Sequence, residues 1–130
     1  MNDFSALNAW ILDPNEFSGL ITSQMMRNLG FVHVKYTADV SDTVAAEAMR
    51  TADLIVIDLK TAQLDEFHFV RQLRSVQQKP KRTSLLVTAT EGHRPLIQKA
   101  ARAGADAIVF HPFSQSTFRE RVLKALSNSQ

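Results

Sequence analysis

Two aspartates stand where a chain can do chemistry. Asp58 ends the run Leu54-Ile55-Val56-Ile57, and Asp13 ends Ala9-Trp10-Ile11-Leu12. A continuous apolar run without polar alternation suits a strand covered on both faces, in the middle of a parallel sheet. Each aspartate would then emerge at a strand's carboxyl end, where open α/β sheets bind ligands. Two such strands could bring two carboxylates together at one rim. Thr88, after Ser84-Leu85-Leu86-Val87, would add a hydroxyl there. His111, after Ala107-Ile108-Val109-Phe110, would add an imidazole.

The elements that must position these groups follow in order. Strand one runs from about Asn8 to Asp13, after an aperiodic arm over 1–8. Phe17, Ile21, Met25 and Leu29 recur every fourth residue and predict a helix with one apolar stripe, capped by Gly30. Phe31 to Tyr36 alternates apolar residues with His33 and Lys35, which suits an edge strand. Ser41 or Asp42 can cap a second helix bearing Val44, Ala45, Ala48 and Met49. After the strand ending at Asp58, a third helix is expected from Leu64 to Val76, with Phe67, Val70 and Leu73 inward. Strand four is Ser84 to Thr88. Pro95 suits the first position of a fourth helix carrying Leu96, Ile97, Ala100 and Ala101, which Gly104 ends. Strand five is Ala107 to Phe110, and Ser114 caps a last helix bearing Phe118, Val122, Leu123 and Leu126. Strands and helices alternate five times, which implies right-handed crossovers and a doubly wound parallel sheet with helices on both faces.

Composition narrows the function classes. The chain has 130 residues and no cysteine, with 45% hydrophobic and 22% charged residues. That is one ordinary globular domain over 1–130, with its core at about 8–127 and no effector domain. The absence of thiols fits a reducing cytoplasm. No apolar run approaches the ~20 residues of a membrane span, and no basic-then-apolar leader opens the chain. A net charge of +2 does not argue for nucleic acid or membrane binding.

The alternation, with Asp at the ends of strands one and three, Thr after strand four and His111-Pro112-Phe113 after strand five, resembles the CheY-like receiver domain of bacterial response regulators. Asn15-Glu16-Phe17, Leu29-Gly30-Phe31, Val87-Thr88-Ala89, Ala103-Gly104-Ala105-Asp106 and Pro112-Phe113-Ser114 agree with it in order. The likeness covers about residues 8–127. It implies a flavodoxin-like sheet in order 2-1-3-4-5 and a cis bond between His111 and Pro112. It also implies an aspartate that accepts a phosphoryl group from a partner's phosphohistidine.

By that resemblance Asp58 is the phospho-acceptor, and Asp13, Asp58 and the backbone of Lys60 hold Mg²⁺. Thr88 is the switch hydroxyl. Several positions depart from the pattern. Pro14 stands where a second acid belongs, His111 where a lysine belongs, and Ile108 where an aromatic switch residue belongs. Ala62 and Glu66 replace a Pro and a Gly of the following loop. Pro14 offers neither a carboxylate nor an N–H. Mg²⁺ binding is therefore expected to be weak.

The implied function is an atypical, or pseudo-, receiver acting by protein contact in two-component phosphorelay signalling. It is not an enzyme. Phosphoryl acceptance at Asp58 is weakened or lost. Its partners would be a sensor histidine kinase or phosphotransfer protein and a downstream protein. The docking surface would be the face of helix four, strand five and helix five, and dimerisation stays open. A fully phosphorylation-competent single-domain receiver is the alternative. A flavodoxin-like small-molecule binder is the third, but Asp13-Pro14-Asn15-Glu16 is acidic where such a site wraps a phosphate.

Bland readings stand beside these. Asp58 and Thr88 could simply close turns, and His111 could bond a neighbouring carbonyl. His33 reads as an exposed edge residue. His68 and His93 lack metal-ligand spacing, so no zinc site is expected. Lys79 to Arg82 reads as a solvated loop, with a phosphate, cyclic-dinucleotide or nucleic-acid contact as the alternative.

Overall fold

β1 (Asn8–Leu12), β3 (Leu54–Asp58) and β4 (Ser84–Thr90) are almost wholly buried, as their uninterrupted apolar runs require. β2 (His33–Thr37) and β5 (Ala107–His111) flank them as edge strands. All neighbours pair in parallel, in the order β2-β1-β3-β4-β5. The computed structural model describes residues 3–59, 68–75 and 82–128. The expectations for Lys60, Ala62, Leu64, Glu66, Phe67 and residues 79–81 lie outside the described residues. Those for the side chains of His68, Leu73 and His93 do too.

Helices cover both faces. α1 (Glu16–Leu29) and α5 (Gln115–Asn128) lie on one side, over Ile11, Val56, Leu86 and Val109. α2 (Asp42–Thr51), α3 (His68–Ser75) and α4 (Ile97–Ala103) lie on the other, over Leu12, Ile55, Ile57 and Val87. Among the described residues, no helix is long and apolar enough to cross a membrane.

The caps follow the residue types. Asn15 accepts a hydrogen bond from the Ser18 N–H at the start of α1. Ser41 accepts from the Val44 N–H, and Ser114 from the Thr117 N–H. Gly30 ends α1 with φ 111°, a left-handed value that a side chain would resist. The His111–Pro112 bond is cis, as the resemblance implied.

Four local expectations need correction. Only half of the stripe Phe17–Ile21–Met25–Leu29 faces the core, since Met25 and Leu29 pack against it half-buried. Phe17 is 76% and Ile21 47% exposed, while Gly19, Thr22, Ser23 and Met26 face the sheet. Tyr36 explains this, because a Cβ added to Gly19 would meet its ring at 2.1 Å. A large side chain rising from the sheet needs small residues on the helix above it. Secondly, β2 begins at His33 rather than Phe31. Phe31 instead stacks on Phe4, with centroids 4.7 Å apart, so the N-terminal arm is anchored in the core. Thirdly, Pro95 lies inside a 3₁₀ helix (Glu91–Leu96), and α4 begins only at Ile97. Finally, β4 runs on to Thr90 and β5 to His111.

Candidate functional site at the carboxyl rim

The parallel register assembles the rim. Asp58 pairs with Thr88 as the last step of the β3–β4 ladder. Leu12 pairs with Ile57, so Asp13 follows one residue beyond, next to Asp58. Side chains alternate along a strand. Asp13, Asp58, Thr88 and His111 continue the parities of Ile11, Val56, Leu86 and Val109, so all four stand on the α1–α5 side.

Their contacts differ. The Thr88 hydroxyl donates to Asp58 Oδ1 at 3.2 Å, so these two side chains meet directly. Thr88 is buried and Asp58 half-buried. Asp13 is only 4% exposed and turns toward its own loop. Its Oδ1 accepts the Asn15 N–H at 2.9 Å, and its Oδ2 accepts the Ser18 hydroxyl. Its backbone N–H donates to the Thr37 carbonyl, and its carbonyl accepts the Tyr36 hydroxyl at 2.8 Å. Burial of Tyr36 raises its phenol above the ordinary value, and the charges of Asp13 and Glu16 add to that shift. His111 pairs with Thr90 on β5 and lies half-buried, its ring 4.7 Å from that of Phe113. Ile108 faces the opposite side, where it lines a cavity of about 10 Å³ with Leu96, Ala100 and Phe110. Arg94 lies over the Phe110 ring, 4.6 Å from its centroid.

The fit to a magnesium ion can be tested on these contacts. Mg²⁺ demands near-octahedral oxygen ligands and gives up water reluctantly. Pro14 adds no donor, and both oxygens of Asp13 already accept hydrogen bonds. Among the described residues no group of three or more potential metal-ligating side chains converges. Asp13 and Asp58 are the carboxylates the described residues bring to this rim, and the third expected donor, Lys60, lies outside the described residues.

Residue type alone did not reveal the Ser18–Asp13 bond. The signal was present as Asn15 and Ser18 at cap spacing after Asp13, a pattern that turns carboxylates toward backbone N–H groups.

Comparison with known proteins agrees with this geometry. A family model described as response regulator receiver domain matches residues 10–123. A probable chemotaxis protein CheY from Rhizobium etli is 26% identical over 104 residues, 80% of either chain. In fold, a response regulator from Thermotoga maritima superposes with a TM-score of 0.75 at 20% identity, covering 93% of this chain and 98% of the other. The receiver domain of a sensor histidine kinase from Pseudomonas aeruginosa gives 0.74 at 18% identity, covering 93% and 98%. That protein was solved with magnesium coordinated in its active site cleft.

Proposed function

Since the chain belongs to the response regulator receiver family, and so is a receiver domain of two-component signalling, we propose that it is an atypical receiver. It works by docking other proteins, and phosphoryl acceptance at Asp58 is weakened or lost. The observation that carries this reading is the state of Asp13. Its carboxylate is bonded by Asn15 and Ser18, and the next residue is a proline.

Aspartyl phosphate formation spreads negative charge over the phosphoryl oxygens, and catalysis rests on positive charge placed there beforehand. Here the metal site is poor and an imidazole stands in for an ammonium. Two counter-charges are compromised together. Asp58 keeps the acceptor's place and Thr88 the hydroxyl beside it. The chain thus retains the frame of a switch with little to drive it. Its partners are a histidine kinase or phosphotransfer protein and a downstream protein, met through α4, β5 and α5. Arg94 over Phe110 gives that face an aromatic and cationic character.

Labelling by a small phosphodonor at physiological Mg²⁺, read on a phosphate-retarding gel, tests the proposal. The unmodified protein should show little or no label. Pro14→Asp combined with His111→Lys should restore more than either change alone, because both act on one transition-state charge. Asp58→Asn must abolish whatever appears. The direct Thr88–Asp58 bond favours a second reading, a phosphorylation-competent receiver. Labelling of unmodified protein at an ordinary receiver's rate would establish that reading instead.

A further inference from the structure

A cleft of about 460 Å³ opens at the other end of the sheet, between the first residues of β1 and β2 and the later turns of α2. It lies a strand's length from Asp13, roughly 15 Å at ~3.3 Å per residue. Trp10, Val32, His33, Lys35, Glu47 and Thr51 are among its lining. We propose that it binds a small aromatic anion, a flat ring carrying one carboxylate or phosphate group. This is independent of the reading given for the carboxyl rim.

The alternation of β2 puts the right groups there. Val34 and Tyr36 pack into the α1 layer, so His33 and Lys35 project together on the α2 side. The Trp10 ring belongs to the core on that side. Its orientation is fixed: the indole N–H donates to Thr51 Oγ at 3.1 Å, and that hydroxyl donates to the Glu47 carbonyl at 2.9 Å. Lys35 Nζ lies 4.9 Å from the indole centroid.

The charges leave one cation for a ligand. Glu47 is the acid lining the cleft, and it is ion-paired with Arg50. Among the described residues Lys35 forms no ion pair. Its ammonium rests on an aromatic face, a weak hold at an exposed site, and can pivot to an anion without leaving the cleft. Val32, which also lines the cleft, is 58% exposed and offers it apolar surface. A ring covers Val32 and the accessible side of Trp10 while its acid group meets Lys35 and His33. The volume falls in the range of small-molecule sites, about 300–1,000 Å³. Strand addition by a peptide is the poorer occupant. The Val34 carbonyl faces the open edge of β2, and the Arg27 guanidinium reaches it at 3.4 Å.

Trp10 is the sole tryptophan, so its emission reports this cleft alone. Benzoate, phenyl phosphate, benzyl alcohol and inorganic phosphate should be titrated against the whole chain, with ligand-observed NMR alongside. Saturable binding of benzoate or phenyl phosphate is expected, and the tighter of the two identifies the acid group. Benzyl alcohol and inorganic phosphate should bind at least about tenfold more weakly, as should the aromatic anion to Lys35→Gln. Lys35→Arg should retain binding, and Asp58→Asn should leave it unchanged. No saturation by either method with either aromatic anion overturns the proposal. So does equal binding of the neutral alcohol, or undiminished binding to folded Lys35→Gln.

Discussion

Asp106 stands at the amino end of β5 and Asp58 at the carboxyl end of β3, and their surroundings are opposite. Asp106 Oδ2 accepts the Leu85 N–H at 2.8 Å and Arg74 at 2.7 Å, and its Oδ1 accepts Arg82 at 2.6 Å. Arg74 extends the network to the carbonyls of Gly104 and Thr83. Burial lowers the Arg74 guanidinium from its ordinary value, and the Asp106 charge opposes that shift. Asp58 instead accepts a neutral hydroxyl at 3.2 Å and is half-buried. A carboxylate locked by two guanidiniums and a backbone N–H is architecture. A half-buried carboxylate at a rim, with a neutral hydroxyl among its partners, can still change its chemistry.

The largest expected effect tests that contrast. Asp106→Ala strands two cations, one of them only 15% exposed, and leaves the buried Leu85 N–H without its acceptor, so it should cost about 3–5 kcal/mol in urea unfolding. Asp58→Asn should cost less than about 1 kcal/mol. Equal losses would break the comparison. Within the lock, Arg74→Ala should cost about 3 kcal/mol, since the Gly104 and Thr83 carbonyls also lose their donor. Arg82 is 37% exposed, so Arg82→Ala should cost only about 1 kcal/mol.

Asp13 lies between these extremes. It is at least as buried as Asp106 but is held by an N–H and a hydroxyl. Ser18→Ala should cost about 1–2 kcal/mol for a hydrogen bond to a charged group. The same change frees Asp13 Oδ2, so affinity for Mn²⁺ should rise, read by paramagnetic broadening of backbone amides. Unchanged broadening would mean that Ser18 does not restrain Asp13.

The sequence was legible where one residue's neighbours along the chain decide its place. Leu54 to Asp58 could only be a buried strand with a carboxylate at its end, and the rim followed from that. The face of α1 was only partly legible. Periodicity counts apolar residues, and here Gly19, Thr22 and Ser23 face inward beside Met26, with Gly19 set directly under the Tyr36 ring from another element. The Arg74–Asp106–Arg82 lock was hidden for the same reason. Its members are brought together only by the β4–β5 crossover, and Arg82 read as part of a solvated basic loop. The order of the rim residues was legible, whereas the direction of the Asp13 side chain was not.

The smallest effect concerns Tyr36, which ties β2 to the backbone of Asp13. Its hydroxyl donates to the Asp13 carbonyl, and Tyr36→Phe should cost about 0.5–1.5 kcal/mol. The pH dependence carries a definite sign. Burial, then the charges of Asp13 and Glu16, raises the phenol above its unfolded value, so the folded chain holds that proton more tightly. The resulting stability is fully present below the unfolded value near pH ~10 and is lost as pH rises through the higher folded value. Tyr36 is the only tyrosine, so tyrosinate absorbance follows it without ambiguity. The native protein should titrate at higher pH than the urea-unfolded chain. Above that range the stability of the unmodified protein should fall more steeply with pH than that of Tyr36→Phe. A native midpoint at or below the unfolded one would mean that Tyr36 is not held against Asp13, and that the Asp13 loop is looser than its hydrogen bonds imply.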